Sequence, residues 1–518
     1  MAVNLGNISR RAFLAGTTAA GLLLPMGYAG AQEAKTPNRG GRLRVGINAG
    51  SARDSLDAKG ALTEADIARQ NNLYDTLLHL SPEYKIEPGL AESVEPSNAA
   101  KTWTIRLRSG VVFHNGKPLT AKDVAHTIRY VVDPANPGAG ASRLSQLDAN
   151  AIEILDDLTL RVTFKSSYSI LRDVLSDAGT GAIRVIPEDY DPADPVGTGP
   201  FKTQSFEAGV RSVFVKNENY WREGEPFVDE LELINFTDDA ARVNAMLSGQ
   251  VDAIAGLPGN QMRIIEANPQ FKVINSETGA WNPFTMRVDA APFDDVRVRK
   301  AMRLLVNRQQ MIQQVLAGQG AVANDIFARF DPGYASNLPQ REVDIDQAKS
   351  LLKAAGQEGL TAEIVTSPVS IGLVPSAEAL VQQASLAGVR LTVRQVEPST
   401  FFSQFFLSSP LSQTYWGARN YLLQTADSML PTAPYNETHW SSEPWLKIVT
   451  EAFAEEDDAK RGELITAAQT IEHEEGGYIN WGFYNKLDAT TVKVEGLVPD
   501  RAGISLTSYA FRRAWLAA

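Results

Sequence analysis

Hydrophobic and polar positions follow two periods along this chain, and the periods alternate from segment to segment. Residues 42–47 alternate, which predicts a strand, and a loop rich in Gly, Ser and Asp follows over 48–60. Thr63 stands three residues before Asp66, a capping pair, and Ile67, Tyr74, Leu77 and Leu78 continue at helical spacing. Trp103, Ile105 and Leu107 alternate with polar neighbours, predicting a half-buried strand. Thr120 and Asp123 repeat the capping pattern ahead of Val124, Ile128 and Val131. Residues 152–155 and 158–164 flank Asp156-Asp157 as a hairpin.

Strand-like runs recur at 211–216 and 230–236, and a helix over about 238–249 feeds the short run 251–255. Residues 294–318 form one amphipathic stretch carrying Val296, Met302, Leu305, Val306 and Ile312. A strand at 361–366, a helix over 376–387 and a strand at 389–396 make a βαβ unit. Helices near 443–456 and 459–475 precede a strand-like run at 478–483. The order is α/β with antiparallel additions and fits more than one lobe.

The first thirty residues stand apart. Ser9-Arg10-Arg11-Ala12-Phe13-Leu14-Ala15 precedes an uncharged stretch rich in Ala, Gly and Leu that ends near Ala29-Gly30-Ala31. Pro25 interrupts that stretch, which is shorter than the roughly 20 apolar residues that span a bilayer. It resembles a twin-arginine export signal, the alternative being a short membrane anchor, and the mature chain is expected to begin near Gln32.

At 518 residues the chain exceeds one ordinary core, so two or three domains are expected. Removing Arg10 and Arg11 with the signal takes the formal net charge from −12 to −14, a poor match for nucleic acid. There is no cysteine, which excludes disulfides, thiolate catalysis, Cys-ligated zinc and a lipid-bearing cysteine. No H-E-x-x-H, G-x-S-x-G or G-x-x-x-x-G-K-[ST] occurs. The five histidines (His79, His114, His126, His439, His473) never sit at i, i+4, and each reads as structural or solvated. The acidic runs 451–458 and 472–475 read as solvated helix faces. No catalytic residue, metal site or cofactor is expected.

Three blocks carry a family likeness. The first is Glu87-Pro88-Gly89-Leu90-Ala91-Glu92-Ser93, continuing through residues 103–116 to Leu119-Thr120-Ala121-Lys122-Asp123-Val124. The second is Val196-Gly197-Thr198-Gly199-Pro200-Phe201 with Lys216-Asn217-Glu218-Asn219-Tyr220-Trp221. The third is Asp295-Val296-Arg297-Val298-Arg299-Lys300-Ala301 leading to Asn307-Arg308. Together they resemble the family 5 extracellular solute-binding proteins of the oligopeptide, dipeptide and nickel type, over essentially the whole mature chain. Locally, Gly-Thr-Gly-Pro-Phe reads as a flexible turn followed by a fixed φ, a scaffold feature.

The resemblance implies a periplasmic-binding-protein-like α/β fold of the larger class II type. Two lobes close about a hinge, and a further small domain packs on one of them. The expected division is a discontinuous domain I (38–82, 197–287, 482–518), domain II (83–196) and domain III (288–481). It also implies a periplasmic, lipid-free, monomeric receptor that passes a small-molecule ligand to an ABC permease in the inner membrane, with no chemistry on the ligand.

In peptide-binding relatives the segment matching 414–421, Thr-Tyr-Trp-Gly-Ala-Arg-Asn-Tyr, reads roughly Gly-Trp-x-x-Asp, and the aspartate receives the peptide's terminal ammonium. Here Trp416 matches the tryptophan and Arg419 falls where the aspartate would be. A guanidinium there repels an ammonium and can fork onto a carboxylate. Arg419 is thus a candidate anion clamp, with Trp416 and Tyr415 as an apolar wall and Asn420 as a secondary contact; the alternative is a salt bridge to an acid such as Asp427. Trp281 and Asn282 are candidates for the cleft, with burial in the core the alternative for Trp281. Arg53 and Asp54 follow the first strand at its carboxyl end, where α/β sheets present ligand groups, or belong to a solvated loop. The expected ligand is opine-like or peptide-like and carboxylate-bearing. A classical peptide binder is the alternative; a secreted hydrolase, a nickel or haem carrier and a chaperone fit less well.

Overall fold

Leu43, Val45 and Ile47 alternate with polar residues and are fully buried, which places Arg42–Asn48 inside a sheet. The computed structural model describes residues 36–48 and 50–518, so the export segment expected over 1–31 lies outside the described residues. Arg42–Asn48 pairs in parallel with Glu230–Phe236 on one side and Ala253–Ile254 on the other. Antiparallel strands then extend both flanks to make seven: Lys486–Thr491 and Phe271–Ser276 on one, Arg211–Lys216 and Phe201–Glu207 on the other.

A second, five-stranded sheet grows from the βαβ unit. Thr361–Thr366 and Arg390–Gln395 are parallel, with helix Leu373–Ser385 between them in the chain. Leu411–Gln413, Phe284–Met286 and Tyr478–Ile479 complete it. A third, antiparallel sheet of four strands spans Ala91–Ser97, Thr102–Leu107, Thr159–Phe164 and Leu147–Asp156, packed with helix Ala121–Val131. Both expected capping boxes form, Thr63 with Asp66 and Thr120 with Asp123. Among the described residues, no helix is long and apolar enough to cross a membrane.

The chain leaves the first sheet after Ser276 and enters the second at Phe284; it leaves the second after Ile479 and re-enters the first at Lys486. The crossings are therefore 277–283 and 480–485. The first falls before the expected division at 287, because Phe284 and Met286 are fully buried in the core of the second sheet.

Other expectations change as well. The helix after Thr63 ends at Leu73, and Tyr74 is extended so that its hydroxyl reaches the Leu56 carbonyl at 2.7 Å. Leu78 starts a short strand instead of extending the helical face. The stretch 294–318 divides into Val296–Leu304 and Arg308–Val315, because Asn307 caps the second helix by accepting from the Gln310 amide.

The glycines of Gly197-Thr198-Gly199 serve close approach rather than turn flexibility. A Cβ on Gly197 would lie 2.1 Å from the Leu73 carbonyl oxygen, and one on Gly199 would lie 2.4 Å from the Leu73 carbonyl carbon. Both clashes are with backbone, so no rotamer relieves them. Gly199→Ala is expected to cost about 2 kcal/mol or more, the overpacking range. Urea unfolding measures it, and a midpoint unchanged from the parent would refute this account of the motif.

Candidate ligand-binding site

The strand Leu411–Gln413 hands the chain to Tyr415-Trp416-Gly417-Ala418-Arg419-Asn420, and helix Tyr421–Ser428 follows. Trp416 does not leave the fold with that turn. Its amide donates to the Trp281 carbonyl at 2.9 Å, and the Trp281 amide returns the bond at 3.0 Å. Trp281 also bridges to Phe483, so this turn is tied to both crossings between the sheets.

Arg419 lies beside Trp416, its guanidinium carbon 5.2 Å from the ring centroid, close enough for a cation–π contact. Its Nη1 donates to Asp427 at 2.6 Å, so the salt bridge raised as an alternative is formed. That bridge uses one nitrogen. Nε and Nη2 make no hydrogen bond among the described residues, and the side chain is 23% exposed. Burial first, then the nearby Arg143 guanidinium, lowers the Arg419 pKa; Asp427 and Asp177 oppose that. Arg143 is itself paired with Asp177 through Nη1. Two guanidiniums and two carboxylates thus form one partly buried array at the edge of the turn. Tyr415 projects outward, 43% exposed.

Asn420 turns the other way, donating from Nδ2 to Asp173, while its Oδ1 is buried without a partner among the described residues. Asp173 is pushed up to about 6 by burial, against the Asn420 hydrogen bond. Both line a cavity of about 640 Å³ whose walls also include Tyr84, Phe330 and Asp331. Arg419 and Trp416 are not among its lining residues.

The remaining candidates fall elsewhere. Trp281 is 1% exposed and belongs to an aromatic column, stacked on Phe327 at 5.1 Å, which stacks in turn on Tyr421 at 5.2 Å. Asn282 is buried, donating to the Ile371 carbonyl at 2.6 Å and leaving Oδ1 unpaired. Asp54 is buried in an ion pair with Arg69 at 2.9 Å and accepts from the Ser51 and Gly209 amides and from Asn235. Its acceptors are spent inside the fold. Arg53 is exposed on the same loop and shares no described contact with the Trp416–Arg419 group.

Sequence reasoning missed Arg143, Asp173 and Glu437. Glu437 accepts from the Trp416 indole at 2.7 Å and from the Tyr478 hydroxyl at 3.1 Å. Burial pushes it up to about 8, so at neutral pH a protonated carboxyl braces the tryptophan.

The family model for bacterial extracellular solute-binding proteins, family 5 Middle, matches residues 85–435. The nickel-binding periplasmic protein of Escherichia coli (strain K12) is 29% identical over 299 residues, 55% of this chain and 56% of that protein. The chain thus spans little more than half the length of that relative. The glutathione-binding protein GsiB of Escherichia coli O1:K1 / APEC is 24% identical over 443 residues, 82% of this chain and 85% of that protein. Two solved structures share the fold at a TM-score of 0.75: AgaA from A. tumefaciens R10 in complex with agropinic acid and DppA from Helicobacter pylori in complex with the peptide STSA. The first is 21% identical, covering 92% of this chain and 99% of its own; the second is 22% identical, covering 93% and 99%.

The Glu437 carboxyl has a pH consequence of definite sign. Its folded pKa lies above the ordinary value of about 4.3, so the folded state holds a proton that the unfolded state releases. Its contribution is complete below about 4.3 and is lost as pH rises toward 8, by up to about 1.4 kcal/mol per pH unit. Glu437→Gln removes the titration and keeps the acceptor for Trp416. Denaturant unfolding between pH 5 and 8 is expected to give a shallower decline for the variant; identical slopes would count against a protonated Glu437.

Proposed function

The chain belongs to family 5 of the bacterial extracellular solute-binding proteins, and from that premise we propose that it is the periplasmic capture subunit of an ABC importer for a small, carboxylate-bearing, opine-like or peptide-like solute. The observation that carries the solute class is Arg419. Its bond to Asp427 fixes the guanidinium beside the Trp416 ring, and Nε and Nη2 make no hydrogen bond among the described residues. A carboxylate can accept from both nitrogens while an aliphatic body lies against that ring. The agropinic acid held by the fold neighbour AgaA is a solute of this kind.

Capture needs no bond-making step. The segments 277–283 and 480–485 act as the hinge, and the solute favours the closed form by touching both lobes. In this reading domain I comprises 38–82, 197 to the first crossing, and 482–518; domain II comprises 83–196; and domain III holds Arg419. The chain is exported by the twin-arginine route, carries no lipid, works as a monomer and docks closed on its permease.

A second reading is favoured by one observation. Asp173, half-buried next to Asn420 on the cavity wall, can meet the ammonium of a peptide one residue away from the arginine. A classical peptide binder would use that acid as its main contact.

Calorimetry with agropinic acid and with the tetrapeptide STSA separates the two. If Arg419 reads the anion, Arg419→Ala weakens agropinic acid by about tenfold or more, the value of one charge-assisted contact. Asp427→Asn, which also breaks the salt bridge, weakens it less. Affinity unchanged in Arg419→Ala would eliminate the clamp. STSA binding that survives Arg419→Ala but fails in Asp173→Asn would establish the peptide reading instead.

A further inference from the structure

A second, smaller cavity of about 80 Å³, whose lining does not include Arg419, is walled by residues between Tyr74 and Pro82, by Ala178 and Arg184, and by Asp500 and residues from Thr507 to Arg513. Four arginines face it: Arg184, Arg222, Arg512 and Arg513. Arg512 is 3.0 Å from Glu225, but the other three make no ion pair among the described residues. Arg184 is the most telling. It is 2% exposed, its Nη2 reaches Asn71 and the Gly179 carbonyl, and its Nε and Nη1 are buried with no partner among the described residues. A buried charge with unmet donors is costly unless something fills the gap.

Two carboxylates also line the cavity, and both are occupied by neutral donors. Asp75 accepts from Thr198, Tyr220 and Trp221 at 3.1, 3.1 and 2.9 Å. Asp500 accepts from the Ala502 amide and the Ser508 hydroxyl at 2.8 and 2.7 Å. His79 accepts from Arg222 at 2.7 Å and is held neutral, pushed down to about 3 by burial and by the surrounding arginines. Asp75 and Asp500 keep their charges and offset part of the four guanidiniums. Asp75 acts on Arg512 and Arg222, and Asp177 acts on Arg184. The lining thus counts four guanidiniums against two carboxylates.

The wall opposite is a left-handed turn. Leu506, Thr507, Ser508 and Tyr509 have φ of 50°, 60°, 55° and 56°, a conformation in which Cβ crowds the next carbonyl oxygen. Side chains from elsewhere hold it: Asp488 takes the Leu506 amide, Asn71 and Asn72 donate to the Ser508 and Tyr509 carbonyls, and Glu64 takes the Tyr509 hydroxyl. The turn brings Thr507 and Ser508 to the cavity beside Arg512 and Arg513.

We propose that this cavity is a binding site for a small oxyanion, separate from the solute site. The volume of about 80 Å³ exceeds the roughly 30 Å³ share of one water, so the cavity has room for more than a single water. Guanidinium donors suit the oxygens of such an anion, and an anion there satisfies Arg184.

Sulfate is the probe. At constant ionic strength maintained with chloride, calorimetric titration of the mature protein with sodium sulfate is expected to show one saturating site. Arg184→Gln should abolish it, but that residue is buried and the variant can fail to fold. Arg513→Gln is the second variant, because its side chain makes no described hydrogen bond and is partly exposed; it should weaken sulfate about tenfold. Arg419→Ala should leave sulfate binding as in the parent. The proposal fails if sulfate gives only a non-saturating stabilisation that persists in Arg513→Gln, the signature of general salt exclusion. It fails equally if Arg419→Ala removes the site, which would place the sulfate at the solute position.

Discussion

The Asp75 carboxylate is half-buried, its pKa raised by loss of water, and the three neutral donors that satisfy it come from Thr198, Tyr220 and Trp221. A carboxylate without such donors would be expensive to bury, so the segments bearing them are obliged to converge on it. That obligation explains the close fit of Gly197 and Gly199 against Leu73, the residue two before Asp75. The neighbouring His114 repeats the logic. Its Nε2 lies 3.0 Å from the Gly199 carbonyl, its own backbone amide donates to the Gly197 carbonyl, and burial pushes the ring down to about 4. The first and second motif blocks are thus two halves of one junction.

The third block performs the corresponding task at the second sheet. Arg299 and Arg303 donate to the carbonyls of Glu475, Gly476 and Tyr478, closing the carboxyl end of helix Asp458–Glu475 with positive charge. Nη2 of Arg308 donates to both Asp325 oxygens, at 2.6 and 2.7 Å, and both side chains are buried. The residues that make this chain recognisable as a family member are consequently scaffold. They pack where the chain passes between the sheets, and the Trp416–Arg419 turn hangs from those crossings through the Trp281–Trp416 backbone pair.

This division explains what could be read from sequence alone. Capping boxes, the βαβ unit and the alternating strands are local patterns, and each formed where its residues stood. Phe284–Met286 and Leu411–Gln413 are three residues long and pair across more than 120 positions, so no periodicity marks them. Asp54 illustrates the opposite failure. Its loop composition suggested solvent, but Arg69 from the following helix reaches it and turns it into a core contact. At the candidate site, Trp416, Arg419 and Asp427 lie within twelve residues and were legible together. Arg143 and Asp173 reach the same turn from some 250 residues away, and nothing in their neighbourhoods advertises that destination.

Arg419 also shows why a salt bridge and a ligand clamp are poor alternatives for a guanidinium. An exposed arginine must surrender side-chain freedom when it grips a ligand, and that loss weakens the grip. Asp427 removes much of the freedom beforehand by holding Nη1, and the Trp416 face fixes the plane from one side. The protonated Glu437 beneath the indole fixes the tryptophan in turn, without adding a second negative charge that would compete for the guanidinium. Burial and then Arg143 work in the opposite direction on the Arg419 charge, lowering its pKa, while Asp427 and Asp177 raise it. The array is therefore balanced in charge and preorganised, and the proposed carboxylate would be drawn by the Nε and Nη2 donors that make no hydrogen bond among the described residues.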